Sequence, residues 1–218
     1  MSGTTGDFEI PRATISRLVL YLRELQQLTR RGLKTVRSQG LGKPLGLDDS
    51  QVRRDLGALG VQGKPGVGYS VIELTQAIRR ILGTDRQWGV ILVGMGHLGQ
   101  ALVGYRGFAL QGFNLQAAFD TDPDKVGTKV GGLNVLPLER LESALVKLDV
   151  QLGIVAVPSS EAQAVVDRLY RAGILGILNF APVSLRPTGT GHSIVNVDLA
   201  MELQRLAFDV VRRSDEDD

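Results

Sequence analysis

Three glycines in the middle of the chain follow a fixed spacing. Gly94, Gly96 and Gly99 form the pattern G-x-G-x-x-G within the segment VGMGHLGQAL. In that pattern the glycines permit a tight turn, a close backbone approach to a pyrophosphate and close packing of a helix on a strand. The pyrophosphate would lie at the N-terminus of that helix. The alternative is a glycine-rich turn in an α/β sheet that binds no nucleotide.

An acidic residue lies where this motif requires one. Asp120 ends the apolar segment AAFD, 21 residues after Gly99. A carboxylate in this position accepts hydrogen bonds from ribose hydroxyls and would repel a 2′-phosphate. The spacing therefore predicts binding of NAD(H) rather than NADP(H).

Residues for a reaction on such a cofactor are scarce. A dehydrogenase commonly holds His, Tyr or Lys beside the nicotinamide as a proton donor or acceptor. The chain has two histidines, His97 inside the glycine turn and His192 in a Gly/Thr loop, and neither position suggests a general base. It has no cysteine, which excludes disulfides, thiolate metal sites and thiol redox chemistry. The sequence thus predicts cofactor binding without turnover, with no catalytic residue and no metal site.

A second set of polar residues lies in the segment DDSQVRRDL, in the first half of the chain. Asp48 or Asp49 would cap a helix there, and Val52 and Leu56, four residues apart, would face inward. Three side chains then point outward: Gln51, Arg53 and Arg54. Arg bonds guanine or phosphate and Gln bonds adenine, so the segment predicts a DNA recognition helix. The alternative is an ordinary solvated helix face.

The neighbouring segments complete a winged helix-turn-helix. Apolar residues recur at helical spacing over residues 15–25, and a second short helix ends in a turn around Gly46. The segment GVQGKPGVGYSV predicts a β-hairpin, which is the wing. Lys64 at its tip and Tyr69 at its base would lie where a wing meets the phosphate backbone or the minor groove. A further helix is predicted over residues 71–82 and a linker over residues 83–87.

Charge is divided unevenly along the chain. Residues 1–84 contain 13 basic and 7 acidic side chains, whereas residues 85–218 contain 12 basic and 16 acidic ones. A basic surface attracts nucleic acid through counterion release, so DNA is a candidate partner for the first part. A solvated surface without a partner is the alternative.

From Trp88 onward, apolar strands alternate with helices, which predicts a Rossmann-type parallel sheet. Ligands bind at the carboxyl ends of the strands in such sheets. The strands LGIVAVP and GILGILNFAP therefore nominate the residues at their ends: Val157, Pro158, Ser159, Asn179, Phe180, Ala181 and Pro182. Phe180 fits the protein core as well as a ligand contact.

The end of the chain predicts a last strand, SIVNV, and a helix over residues 198–213. One face of the helix is apolar: Leu199, Leu203, Leu206, Ala207 and Val210. This stripe would pack on its own sheet or cross to a partner subunit. We expect the polar start of the chain and the terminal SDEDD to lack fixed structure.

No leader pattern and no stretch long enough for a membrane span is evident, which predicts a cytoplasmic protein without a membrane partner.

Seven motifs spread over nearly the whole chain occur together: ATISRLVLYLREL, QVRRDL, GVGY, VGMGHLGQAL, AFDTDPDKVG, AGILGILNFAPV and NVDLAMELQRL. Together they resemble the redox-sensing transcriptional repressors of the Rex family. The resemblance implies a repressor that binds an inverted-repeat operator when it is free or bound to NAD⁺, and that leaves the DNA when it binds NADH. It implies no enzymatic activity.

The resemblance also implies an α/β architecture with three parts. Residues 1–84 would form a winged helix-turn-helix DNA-binding domain, and residues 85–196 a Rossmann NAD(H)-binding domain. Residues 197–218 would form a C-terminal helix with an acidic tail. The helix would be swapped between the two subunits of a homodimer, which would cover its apolar stripe.

Motifs, strand ends and resemblance together give three sets of candidate residues. The cofactor-binding set is Gly94, Met95, Gly96, His97, Leu98, Gly99, Asp120, Thr121, Val157, Pro158, Asn179, Phe180 and Ala181. The DNA-binding set is Ser38, Gln51, Arg53, Arg54, Lys64 and Tyr69. The resemblance further implies a polar link whose formation depends on the bound state and which joins Arg23, Tyr105 and Asp198.

The chain departs from the family pattern in its DNA-binding part. Gly40, Gly42 and Pro44 lie in the second helix, where they disfavour helix, and Pro65 replaces a basic residue of the wing. DNA recognition would then differ from that of other members. Two alternatives therefore remain: a dinucleotide- or CoA-binding regulatory module with lost or altered DNA binding, and a small NAD-dependent oxidoreductase.

Overall fold

The structure is a computed structural model that describes residues 10–216. The chain divides into two compact units, with the division between Arg86 and Gln87. The domain boundary predicted after residue 84 lies close to this division. The predicted unstructured start of the chain falls on residues 1–9, outside the described residues.

The first unit consists of four α-helices and two short strands within the described residues. Its helices are α1 (Arg12–Arg30), α2 (Ser38–Gly42), α3 (Asp49–Ala58) and α4 (Val71–Ile81), and its strands are β1 (Thr35–Val36) and β2 (Tyr69–Ser70). The predicted irregularity of the second helix is confirmed. The helix α2 is five residues long and continues as a 3-10 turn over Lys43–Leu45, and Gly46 ends that turn at a φ of 67°.

The core of the first unit is formed by one face of each helix. Leu18 and Leu25 of α1, Val52 and Leu56 of α3, and Leu74 of α4 are fully buried. Two apolar residues of the predicted α1 stripe do not join this core, because Ile15 and Val19 are 40% and 53% exposed. The inward face predicted for α3 is confirmed.

The wing is smaller than the predicted hairpin. Its turn is closed by two hydrogen bonds between the backbones of Lys64 and Gly68, of 2.8 and 2.9 Å. The following strand β2 pairs with β1, with Tyr69 opposite Val36, rather than with the residues before the turn. A Cβ on Gly68, whose φ is 100°, would lie 2.4 Å from the carbonyl oxygen of Val36, so this close pairing requires glycine.

The second unit alternates strands and helices. Its strands are β3 (Trp88–Val93), β4 (Phe113–Asp120), β5 (Lys129–Val130), β6 (Leu133–Pro137), β7 (Leu152–Val155), β8 (Gly176–Asn179) and β9 (Ser193–Asn196). Its helices are α5 (His97–Val103), α6 (Arg106–Leu110), α7 (Leu141–Leu145), α8 (Ser159–Arg171) and α9 (Leu199–Glu216).

Within the described residues these strands form one sheet in the order β5-β6-β4-β3-β7-β8-β9. Neighbouring strands are parallel except in the β5–β6 hairpin, which was not predicted. From β6 to β9 the order is that of doubly wound dinucleotide-binding sheets, so the predicted Rossmann-type fold is confirmed. The strands β3 and β7 flank the point where the order reverses, and ligands bind beside their carboxyl ends in such sheets.

The two faces of the sheet are covered unequally. Helices α7 and α8 pack on one face, and an ion pair joins them: Arg168 donates to the two carboxylate oxygens of Glu142 at 2.6 and 2.7 Å. On the other face, an apolar surface over β7, β8 and β9 is concave and encloses a volume of about 430 Å³. Val195 on this face is 60% exposed, and the connection from β8 to β9 contains no helix among the described residues that would cover it.

The C-terminal helix α9 is apolar on its exposed surface. Leu203, Leu206 and Phe208 are 67%, 58% and 63% exposed. The helix extends to Glu216, so the prediction of an unstructured SDEDD tail is wrong for residues 214–216. Nothing in SDE breaks a helix, and extending an existing helix adds a hydrogen bond for each residue fixed. Residues 217–218 lie outside the described residues. No helix in the described part of the chain is long and apolar enough to cross a membrane.

The Glu142–Arg168 ion pair predicts a pH-dependent contribution to stability. The hydrogen bonds from Arg168 lower the pKa of Glu142 from 4.5 to about 2. The pair therefore stabilises the fold above about pH 4.5, and this contribution is lost as the pH falls toward 2. Because Glu142 is 52% exposed, we expect Glu142→Gln to lower the free energy of unfolding at pH 7 by less than about 1 kcal/mol. Denaturant titrations of both proteins should give a difference that disappears near pH 2; a constant difference would contradict this.

Candidate functional site

The glycine turn after β3 packs against the segment that follows β7. Gly94 has a φ of 98°, and a Cβ on it would lie 2.4 Å from the carbonyl oxygen of Ala156 and 2.9 Å from Val157. A Cβ on Gly99 would lie 1.9 Å from the carbonyl oxygen of Gly94, so α5 packs directly on the turn. The space beside Gly96 is open, with no atom within 4 Å of a Cβ built there. The three glycines thus have three different roles, and only Gly96 offers an accessible backbone.

Asp120 holds this turn from the neighbouring strand. It is the last residue of β4 and is 8% exposed. Its Oδ2 accepts a hydrogen bond of 2.6 Å from the backbone N–H of Met95, and its Oδ1 accepts one of 2.8 Å from the backbone N–H of Asp122. The Nζ of Lys125 lies 3.6 Å from Asp120 and 3.0 Å from Asp122. Asp120 therefore orders two loops at once, a role that the sequence reasoning missed.

Charged neighbours beside Asp120 stabilise one another. The hydrogen bond from Lys125 holds the pKa of Asp122 below its usual value, and the same bond raises the pKa of Lys125. The side chain of Asp122 is 39% exposed, whereas that of Asp120 is almost buried. The loop after β4 thus presents the more accessible carboxylate of Asp122 next to the buried one of Asp120.

The candidate residues around the glycine turn differ in accessibility. Gly96, His97 and Leu98 are exposed, and so is Thr121. Met95 is 1% exposed, its side chain lies in the core, and its N–H is used by Asp120. The structure thus brings the turn and the end of β4 together and leaves Met95 a packing residue.

A second buried polar side chain organises the loop after β8. Asn179 is fully buried. Its Nδ2 donates to the carbonyl oxygen of Val183 and to Oδ1 of Asn196, both at 2.9 Å, and its Oδ1 accepts from the N–H of Ala181 at 2.9 Å. These contacts give Asn179 a positioning role. Phe180 packs partly buried against the sheet, and Ala181 is 4% exposed. Val157 is half-buried beside Gly94, and Pro158, Ser159 and Pro182 are exposed.

The predicted recognition helix has the expected local structure. Asp48 caps α3, because its carboxylate accepts the N–H of Gln51 at 2.7 Å. Arg53 is exposed, forms an ion pair with Asp49 and lies 3.4 Å from the hydroxyl of Ser38. Arg54 is also exposed. Two arginines of one helix turn therefore face solvent together.

A groove of about 660 Å³ separates α3 from the wing. Among its lining residues are Ser38, Arg53 and Lys64 of the predicted DNA-binding set. Arg37, which the sequence reasoning missed, also lines it and donates to the carbonyl oxygen of Gly66 in the wing at 3.0 Å. Tyr69 lies at the bottom, 9% exposed, with its ring against Gly63. Most of its side chain therefore packs under the wing, and its predicted DNA contact stays a prediction.

The three residues of the implied polar link lie on both units. Arg23 is exposed on α1 of the first unit. Tyr105 is 59% exposed, and its ring meets that of Phe108 edge-on at 5.0 Å. Asp198 caps α9, because its Oδ1 accepts the N–H groups of Ala200 and Met201 at 2.9 and 3.2 Å. The link itself stays a prediction.

No group of three or more His, Asp or Glu side chains in residues 10–213 is placed to hold a metal ion. His192 stacks on Tyr170, with ring centroids 4.0 Å apart. It therefore packs against the protein rather than facing a candidate cofactor site.

Comparisons with known proteins match both units. Residues 9–57 match the family model "Putative DNA-binding protein N-terminus", and residues 85–183 match the model "CoA binding domain". The "Redox-sensing transcriptional repressor Rex" of Rhodopirellula baltica is 48% identical over 206 residues, which are 94% of this chain and 86% of that protein.

Two solved structures also match this chain over nearly its whole length. The structure of "RSP in complex with beta-NAD+ and operator DNA" has a TM-score of 0.88 and 35% sequence identity, and the match covers 94% of each chain. The structure of "RSP in complex with beta-NADH" has a TM-score of 0.84 and 33% identity, covering 95% of this chain and 97% of that one.

The different surroundings of the glycines predict different effects of a single methyl group. Gly99→Ala should lower the free energy of unfolding by about 2–3 kcal/mol, since its Cβ meets backbone that cannot move aside. Gly96→Ala is the matched control and should change it by less than about 0.5 kcal/mol, because its Cβ would enter open space. Denaturant titration of both variants measures this, and equal losses would contradict the assigned roles.

Proposed function

Because the chain belongs to the Rex family of redox-sensing transcriptional repressors, we propose that it is a DNA-binding repressor that senses NADH and NAD⁺. The observation that carries this proposal is the similarity, over 94% of both chains, to the structure of "RSP in complex with beta-NAD+ and operator DNA". The protein would bind its operator when free or bound to NAD⁺ and leave it when NADH binds. Its relatives are repressors, so we propose regulation without catalysis.

The turn after β3 fits a dinucleotide. The open space beside Gly96 would admit the pyrophosphate, and a Cβ would partly fill it. The accessible carboxylate of Asp122, just after β4, would accept hydrogen bonds from ribose hydroxyls. Together with the charge of Asp120 it would repel a 2′-phosphate, which favours NAD(H) over NADP(H). We propose that His97, Leu98 and Thr121 line the site through accessible atoms. The buried residues Met95, Asp120 and Asn179 would mainly hold its loops. NADH or NAD⁺ would supply the redox signal, and the protein would transfer no hydride.

The groove between α3 and the wing fits a DNA backbone and base edges. Arg53 and Arg54 would enter the major groove with α3, and Lys64 and Ser38 would contact phosphates. Arg37 adds a cation to the same groove, which compensates for Pro65 in the wing. Since the two recognition helices of a dimer must reach half-sites about one helical turn apart, a rotation between subunits would release the DNA.

The switch requires only a difference in affinity. NADH shifts the equilibrium between DNA-bound and released forms by its differential affinity for them and by no more. A tenfold difference corresponds to about 1.4 kcal/mol. The polar link of Arg23, Tyr105 and Asp198 would form in one of the two states.

We further propose a homodimer in which α9 packs on the partner subunit. The apolar face of α9 and the apolar surface over β7, β8 and β9 are both exposed in the single chain. Burying a leucine side chain contributes about 1.5–3 kcal/mol, so several exposed leucines favour association.

The proposed protein then has three parts: the winged domain of residues 1–84, the cofactor domain of residues 85–196 and the swapped helix of residues 197–218.

The match to a CoA binding domain supports a second candidate, a CoA-binding module without DNA binding. A mobility-shift titration with an inverted-repeat duplex separates the two. We expect binding at low salt without cofactor or with NAD⁺, at least tenfold weaker binding with NADH, and no effect of CoA. Gly96→Ala should make the shift insensitive to NADH, because the added methyl occupies the pyrophosphate space. Absence of DNA binding at low salt, with CoA bound, would favour the second candidate.

Variants on α9 test the dimer. Leu203→Glu and Leu206→Glu should give a monomer in sedimentation experiments at micromolar concentration, because a charge would have to be buried in the interface. Arg205→Glu is the control on the same helix and should remain dimeric, since Arg205 lies outside the apolar stripe of α9. A monomeric wild-type protein would overturn the dimer proposal.

A further inference from the structure

A buried carboxylate joins the first helix to the recognition helix. Asp55 of α3 is 3% exposed and receives four hydrogen bonds. Arg17 of α1 donates to both carboxylate oxygens, at 2.6 and 2.7 Å, and the hydroxyl of Tyr21 donates to Oδ2 at 2.8 Å. The fourth donor is Nε2 of Gln51, at 2.9 Å from Oδ1. All the lone pairs of this carboxylate are therefore used.

The carboxylate stays ionised. Burial opposes its charge, but the hydrogen bonds from Arg17, Tyr21 and Gln51 outweigh burial and hold the pKa of Asp55 below its usual value. Burial and the bond to Asp55 raise the pKa of Tyr21. An ionised carboxylate accepts hydrogen bonds and donates none, so the contact with Gln51 has one possible direction.

That direction fixes the amide of Gln51. Its NH₂ group must face Asp55, so its Oε1 points the other way and accepts a hydrogen bond of 2.9 Å from Nη2 of Arg54. The Nη1 of Arg54 also donates to the hydroxyl of Ser50, at 3.2 Å. Within residues 10–216, Arg53 forms an ion pair with Asp49, whereas no ion pair of Arg54 is found. The hydrogen bonds of Arg54 thus go to neutral oxygens; its charge interacts with the Asp48 carboxylate only at a distance and is available to DNA.

We propose that Asp55 and Gln51 are positioning residues that orient Arg54 for reading the operator. This inference rests on the proposed function. In this arrangement Gln51 bridges Asp55 and Arg54 and does not itself read a base, contrary to the expectation from the sequence. Arg54 contributes sequence discrimination through the paired donors of its guanidinium, which match the acceptor edge of guanine.

A double-mutant cycle tests the bridge. The dissociation constants of wild type, Gln51→Ala, Arg54→Ala and the double variant are measured for the operator and for a scrambled duplex of equal length, at one salt concentration. We expect Gln51→Ala to weaken operator binding about tenfold and scrambled binding much less, because it disorders a reading side chain. The double variant should bind the operator no more weakly than Arg54→Ala alone, since residues that act through one another do not contribute independently. The proposal would be overturned if the losses of operator affinity in the two single variants multiplied in the double variant. It would also be overturned if Gln51→Ala bound the operator as tightly as wild type.

Variants of the buried network distinguish positioning from stability. Asp55→Asn should lose the preference for operator over scrambled duplex. If that variant does not fold, Tyr21→Phe provides the contrast with Gln51→Ala. It removes one donor to Asp55 and leaves the Gln51 contact intact, so it should unfold more easily and yet keep the operator preference. Loss of preference in Tyr21→Phe would show a merely structural effect and overturn the proposal.

Two readouts separate this inference from the function on which it rests. All variants should bind NADH as wild type does, because the substitutions lie in the first unit. A wild-type protein that does not prefer the operator would refute the proposed function and this inference together. This inference alone would be refuted if the wild-type protein preferred the operator but the losses of operator affinity in Gln51→Ala and Arg54→Ala multiplied in the double variant.

Discussion

The backbone of Gly94 passes so close to the segment after β7 that a Cβ on it would lie 2.4 Å from the carbonyl oxygen of Ala156. This contact brings the ends of β3 and β7 together at the point where the strand order reverses. The same turn receives α5 through Gly99 and is tied to β4 by the hydrogen bond between Met95 and Asp120. The ends of three strands, β3, β4 and β7, thus lie around the glycine turn. The candidate cofactor site is the open space beside Gly96 in this turn.

Most elements could be predicted from the sequence because their signals are local. Apolar spacing marks α1 and α8, an aspartate cap marks α3, and the glycine spacing marks the turn after β3. Pairing partners could not be predicted, because β2 pairs with β1 from another part of the chain. Tyr69 illustrates the consequence. Its place beside the wing suggested a DNA contact, but strand pairing puts it opposite Val36 and under the hairpin.

The candidate site shows the same limit at the level of side chains. Strand ends and glycine spacing predicted which segments come together, but not what each polar group contacts. Asn179 and Met95 lie in predicted segments, yet their polar groups bond within the protein. Arg17 and Asp55 are 38 residues apart, so no local pattern records their contact. On the sequence, Asp55 is one more charged residue of a polar helix; in the fold it is a buried centre of four hydrogen bonds.

Asp120 and Asn179 have a further consequence for ligand binding. Each is a buried polar side chain that ties loop backbone at the end of a strand, and each finds its partners within the chain. The order of the loops around the candidate cofactor site therefore rests on bonds within the chain and does not require contacts to a ligand. A ligand that enters such a site loses little binding energy to immobilising the protein. In the proposed repressor, the energy conserved in this way would be available to move one subunit of the proposed dimer against the other.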